Sequence, residues 1–294
     1  MNAKCKALLL NLYYQASQPL RWWNRRGDMA RHCVPIAVLF YHRVADDRAN
    51  SWTLSNRMFA RQIAWLRKRF ELISLEETQR RIRCGVSPRP AVSITFDDGY
   101  ADNCHQAIPL LVQERIPCTY FVTAQNVLEG IPFAHDVAHG HRLTPNTLEQ
   151  LRAMAAAGVE IGAHSYTHAN LGSLADPDAL HFEVVSAGES LQAALGRPVR
   201  YFAFPYGHYA NLSGNAFALA HEAGYEAVCS GYGGFNFPGG DTFHLQRIAV
   251  GDDMIHLKNW TTIDPRKLNT PRFVYDLEAP VTPSTRDPIS SKRS

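Results

Sequence analysis

The sequence predicts an α/β fold whose strands close, or nearly close, into a barrel, and three observations predict it. From Val34 onward, short runs rich in Val, Ile, Phe and Tyr alternate with segments whose apolar residues recur at helical spacing. About eight such strand-like runs occur, which suits a barrel better than an open dinucleotide sheet. Polar residues that an ordinary core would avoid gather at the C-terminal ends of several strands, where barrel active sites are assembled.

Taken in order, residues 1–33 form an N-terminal arm read as helical. Trp22 and Trp23, flanked by Arg21, Arg25 and Arg26, suit either a helix packed on the domain or peripheral contact with a membrane surface. The apolar run at 7–10 is broken by Asn11 and is shorter than the core of a signal peptide, so a cytoplasmic location is expected over export. Strands are expected at 36–41, 71–74, 91–96, 118–123, 159–163, 201–204, 227–230 and 245–250. Between them, helices are expected at 56–70, where Phe59, Ile63, Leu66 and Phe70 form one stripe, and at 145–157, 177–195 and 214–223. Residues 34–275 make the barrel domain, and the Pro, Ser, Thr and Arg composition beyond Tyr275 predicts a disordered tail over 276–294.

Composition excludes several functions. Of the 294 residues, 46% are hydrophobic and 19% charged, and the net charge of +3 gives no field that would draw the protein onto nucleic acid. No apolar stretch reaches the roughly 18 residues needed to cross a bilayer. No Gly-x-Gly-x-x-Gly or Walker sequence supports a nucleotide cofactor. The six cysteines lack Cys-x-x-Cys spacing and read as reduced core residues.

The strand ending at Phe96 runs into Asp97, Asp98 and Gly99. Adjacent carboxylates at a buried strand end need a cation or donors to stay ionised, although Asp-Asp-Gly is also a plausible helix N-cap. A second strand ends in His164-Ser165-Tyr166-Thr167-His168, and two imidazoles four residues apart are the usual way one short segment serves a metal. The cluster of His135, His139 and His141 has no such carboxylate strand beside it. Asp98, His164 and His168 together form a borderline-hard ligand set suited to Zn²⁺ or a similar divalent ion, and Asp97 is then placed to take a proton from water.

Thr95-Phe96-Asp97-Asp98-Gly99, His164 to His168 and Phe204-Pro205-Tyr206-Gly207 resemble, in order and spacing, the first three motifs of the polysaccharide deacetylases, carbohydrate esterase family 4. The resemblance covers roughly residues 34–250. It implies a distorted (β/α) barrel of about seven strands and removal of acetyl groups from sugar polymers. It also implies Asp97 as general base, Asp98, His164 and His168 as metal ligands, and the Tyr206 N–H as a donor to the oxyanion.

Two departures stand out. The family's third-motif arginine, which pairs with the base, falls at Ala203, leaving Arg200 or Arg247 as substitutes. The late Leu-x-His strand that supplies the acid is missing after Val250. A strand of that look, Ile36 to Tyr41 followed by His42, stands instead near the beginning, as in the permuted poly-N-acetylglucosamine deacetylases, which makes His42 the candidate acid, with His208 and His244 held behind it. The expected activity is metal-dependent hydrolysis of N-acetyl groups on an N-acetylhexosamine-containing glycan. Deacylation of another amide or ester on a lipid-linked sugar, or sugar binding without catalysis, stay open on sequence alone. The 125–151 connection and the 231–240 stretch, with Phe235 and Phe237, are expected substrate walls.

Overall fold

The computed structural model describes residues 3–278, so the expected tail lies, from residue 279 on, outside the described residues. Eleven strands occur among them: β1 (Ile36–Tyr41), β2 (Arg43–Val44), β3 (Thr53–Leu54), β4 (Glu71–Leu72), β5 (Ala91–Phe96), β6 (Cys118–Val122), β7 (Glu160–Ala163), β8 (Tyr201–Ala203), β9 (Ala227–Cys229), β10 (His244–Leu245) and β11 (Arg247–Ala249). Eight form a parallel sheet in the order β10-β9-β8-β7-β6-β5-β1-β11, with β4 beside β5 off this path and β2 paired with β3.

The sheet nearly closes through a single segment. Its first half, β10, pairs with β9, and its second half, β11, pairs with β1. Only Gln246 separates the halves, so β10 and β11 together count as the seventh strand of a distorted (β/α) barrel. Gln246 belongs to neither ladder, and Asn236 supplies what the ladder lacks. Its Oδ1 accepts from the Gln246 N–H at 2.9 Å and its Nδ2 donates to the Gln246 carbonyl at 2.9 Å, while its backbone exchanges bonds with Ile36.

Strand alternation sorts the core into two sides. Val38, Phe121, Tyr201, Ala203, Ala227, Cys229 and Leu245 make one buried cluster inside the barrel, whereas Leu39, Ile94, Tyr120, Ile161, Phe202 and Ile248 pack under the helices. The expected helix at 56–70 runs over Asn56–Arg67, capped by Ser55, and the one at 145–157 begins later, at Leu148, because Thr147 and Gln150 form a capping box.

The expected 177–195 helix is interrupted. A π-helical stretch, Phe182–Ser186, separates Pro177–His181 from Ala187–Leu195. Wide turns of this kind mark functional positions, and here the turn holds buried Glu183 against the loop between the two motif histidines. The cysteines are all free, but only Cys118 and Cys229 are buried; Cys5 and Cys84 are exposed, which corrects the reading of all six as core residues. Helices Ala3–Ala16 and Gln18–Ala30 precede the barrel.

Candidate active site

Asp97 follows β5 in the register that points inward, after Ser93 and Thr95, and its N–H donates to the Tyr41 carbonyl at 2.9 Å. The chain then turns sharply. The Gly99 N–H closes on the Asp97 carbonyl at 2.9 Å, with Asp98 at φ +72° and Gly99 at φ +101°, where a Cβ would sit 3.1 Å from Val122. The short helix that follows is capped by Tyr100 without a side-chain bond, so the carboxylates do not act as an N-cap.

His164 and His168 flank a loop held open by Glu183, which accepts from the N–H groups of Tyr166 and Thr167 and from the Thr167 hydroxyl. The His164 Nδ1–H donates to the Ala203 carbonyl at 2.8 Å, which leaves Nε2 as the free lone pair. His164 Nε2 and His168 Nε2 stand 3.5 and 3.3 Å from Asp98 Oδ1, and the three ligand atoms lie within 4.8 Å of one another. Ligands about 2.0–2.1 Å from a tetrahedral Zn²⁺ would be about 3.3–3.4 Å apart. Asp98 Oδ1 is buried without a hydrogen-bond partner, which fits a cation in the gap.

Burial works to raise the Asp98 pKa, but the imidazoles of His168, His42 and His164 around it outweigh burial and hold the carboxyl well below its usual range. Burial pushes His164 down to about 4, so its imidazole is neutral at physiological pH, as a ligand must be. Backbone strain concentrates here. Of eight non-glycine residues at positive φ among the described residues, Asp98, Ser165, His168 and Tyr206 lie in the three motifs.

Of the two proposed substitutes for the missing arginine, the structure selects Arg247. Its guanidinium meets the Asp97 carboxylate with two bonds, Nη1 to Oδ1 at 2.6 Å and Nη2 to Oδ2 at 2.8 Å, and Nη1 also reaches Thr95 Oγ1. Phe40 and Phe121 cover its faces. Burial opposes the ionised Asp97, and the Arg247 charge and bonds more than offset it, so its pKa is lowered. Arg200 instead pairs with Glu160.

His42 leaves β1 beside Asp97, because Tyr41 pairs in register with Phe96. It is half-buried and stacks at 4.9 Å on Trp52, an exposed ring that the sequence reading missed for want of any motif around it. Tyr206, at φ +61°, turns an exposed ring against His168 at 5.0 Å. From the 125–151 connection, His135 reaches the same rim, 5.3 Å from His168, with its Nε2 on the Tyr100 hydroxyl, which donates to buried Asp136. His139 and His141 make no contact with the motif histidines among the contacts described. The 231–240 stretch is not a substrate wall over its aromatic part: Phe235 is buried, and Asn236 between the two rings bonds to Ile36, at the end of β1 remote from His42. His208 is exposed at the start of a short helix, and His244 is buried at the start of β10, bonded to Ser230 and packed on the Phe217 ring.

Residues 85–228 match the polysaccharide deacetylase family model. The chain is 24% identical over 221 residues to YxkH of Bacillus subtilis, covering 74% of this chain and 72% of that one. It is 30% identical over 151 residues to the chitooligosaccharide deacetylase of a Bradyrhizobium species, covering 51% of this chain and 59% of that one. The solved structure of IcaB from Ammonifex degensii superimposes with a TM-score of 0.64 at 25% identity, covering 78% of this chain and 97% of that one. The chain resembles the polysaccharide deacetylase family over residues 85–228, just under half its length. Here the arginine beside Asp97 comes from the last barrel strand, and position 203 keeps only a small side chain whose carbonyl orients His164.

Proposed function

We propose that the protein is a metal-dependent deacetylase that removes N-acetyl groups from an N-acetylhexosamine-containing glycan. The observation that carries this reading is the triangle of Asp98, His164 and His168 standing beside a carboxylate held ionised by Arg247. A divalent ion held by the three ligands, Zn²⁺ fitting their chemistry, would polarise the acetyl carbonyl and make water more acidic. Asp97 accepts a proton from the attacking water, and Arg247 keeps both carboxylate oxygens oriented and charged. The Tyr206 N–H, turned by its left-handed backbone, donates to the oxygen that becomes negative. His42 gives a proton to the departing sugar nitrogen, and the products are acetate and a free amine.

An N-acetylated glycan is supported by the name of the Bradyrhizobium relative, which acts on chitooligosaccharides, and by the exposed Trp52 and Tyr206 rings beside His42 and His168, which suit sugar faces. The test combines elemental analysis with acetate release from N-acetylglucosamine oligomers. Wild type should hold about one divalent ion per chain, His164→Ala and His168→Ala should lose most of it, and Asp97→Asn should keep it while losing activity by roughly 10² to 10⁴ fold. A metal-free wild type after supplementation, or metal binding with no acetate released from any acetylated sugar, would overturn the reading.

A further inference from the structure

We propose that the two N-terminal helices dock the protein on the surface of an anionic lipid bilayer. Helix Gln18–Ala30 turns Arg21, Asn24 and Asp28 toward the domain, with the Arg21 guanidinium donating to the Asn259 carbonyl at 2.7 Å and to its Oδ1 at 2.8 Å. Its opposite face carries Trp22, Trp23 and Met29 beside Arg25 and Arg26, with Trp23 71% exposed and Arg26 stacked on the Trp22 ring. Helix Ala3–Ala16 repeats the division: Leu10, Tyr13 and Tyr14 are half-buried, whereas Leu8, Leu9 and Leu12 are exposed. Seven of the 15 exposed large hydrophobics among the described residues lie on these two helices, a density that chance exposure over so short a segment does not explain.

Charge names the occupant. A cleft beside Arg25 and Met29 is lined by Arg67, Lys68, Arg69 and Arg89, with Glu71 its one acidic residue. Arg67 and Arg89 also reach Glu114 and Glu71, but Arg25 and Arg26 have no carboxylate partner described, and the face is basic on balance. Indoles settle at headgroup level, exposed leucines dip beneath it and guanidinium groups bind lipid phosphates. A second copy would bring the same positive charge to the same face, which argues against self-association. No helix among the described residues is long and apolar enough to cross a membrane, so the contact is with the surface. The cleft lies beside Pro90, just before β5 begins, at the barrel end opposite Asp97. A bilayer held there would leave the candidate active site open to water, roughly 20 Å of strand away.

The test uses the full chain with phosphatidylcholine vesicles, with and without about a third phosphatidylglycerol. The anionic vesicles should pull down the protein and shift tryptophan emission to the blue, and high salt should weaken both effects. Trp22→Ser with Trp23→Ser, and separately Arg25→Glu with Arg26→Glu, should each reduce partitioning about tenfold or more while leaving the thermal melt unchanged. Failure to bind anionic vesicles, or equal binding by both double variants, would overturn the proposal. Self-association that Trp23→Ser abolishes, without vesicle binding, would assign the face to a second copy instead.

Discussion

Arg247 and Asp97 form a pair in which both partners are almost wholly out of water, so neither charge has an alternative to the other. Breaking a buried pair by removing one partner typically costs 3–5 kcal/mol, and Arg247→Met should lose about that much in chemical denaturation and should also abolish acetate release. Arg247→Lys keeps the charge but loses the two-point contact, so it should recover part of the stability and little of the rate. At the end of the strand between these two partners, His42→Ala should leave metal content intact and slow amide hydrolysis by roughly 10² to 10⁴ fold. Activated aryl acetates, whose leaving groups need little protonation, should suffer far less; equal losses on both substrates would remove His42 as the acid. The residue types at the three motifs were legible because carboxylate and imidazole at strand ends have few structural uses. Arg247 was legible only as one of two choices, since the pairing spans 150 residues and depends on which strand closes the barrel.

Among the elements, the π-helical turn and the strand break at Gln246 were invisible to periodicity, because each is a local departure that a distant polar side chain compensates. Glu183 fixes the loop between the metal-ligand candidates. Glu183→Ala should therefore lower metal affinity by about 10- to 100-fold in a competition titration, the usual loss when a supporting hydrogen bond to a metal site is removed. Asn236 satisfies both backbone groups of Gln246, and Asn236→Ala strands a buried donor and acceptor at about 1–3 kcal/mol each. The strand carrying His244 sets an acid limit. Burial pushes this imidazole from 6.5 down to about 4. As pH falls below 6.5 the unfolded chain takes up a proton that the folded chain refuses until about 4. The stability tied to the neutral ring is therefore complete above 6.5 and lost progressively between the two values, up to about 3 kcal/mol. His244→Phe should make the loss over that interval smaller in denaturation curves measured across the range, leaving the share of His164, which burial also pushes down to about 4. By contrast, the longer strands and the outer bounds of the four helices named were readable to within a few residues, since alternation and capping residues act locally, whereas helices such as Leu75–Cys84 and Met254–Thr261 were not foreseen.

On the scale of the whole molecule, the barrel brings together two ends of one chain. The strand bearing His42 is the first of the sheet and the strand bearing Arg247 the last, and they are hydrogen-bonded neighbours, Val38 opposite Arg247. Which end of the chain fills a barrel position leaves no trace in local pattern, so permutation had to be argued from the missing late histidine and the early one. The arrangement also bears on timing. While the chain is being made, all three motifs emerge before residue 247, yet the pocket for Asp97 lacks its counter-charge until then. A chain that ends before that strand lacks both the closing strand of the barrel and the cation that holds the Asp97 carboxylate in place. On the proposed mechanism, a chain truncated before residue 247 should therefore release no acetate, which expression of such a chain beside the full one checks.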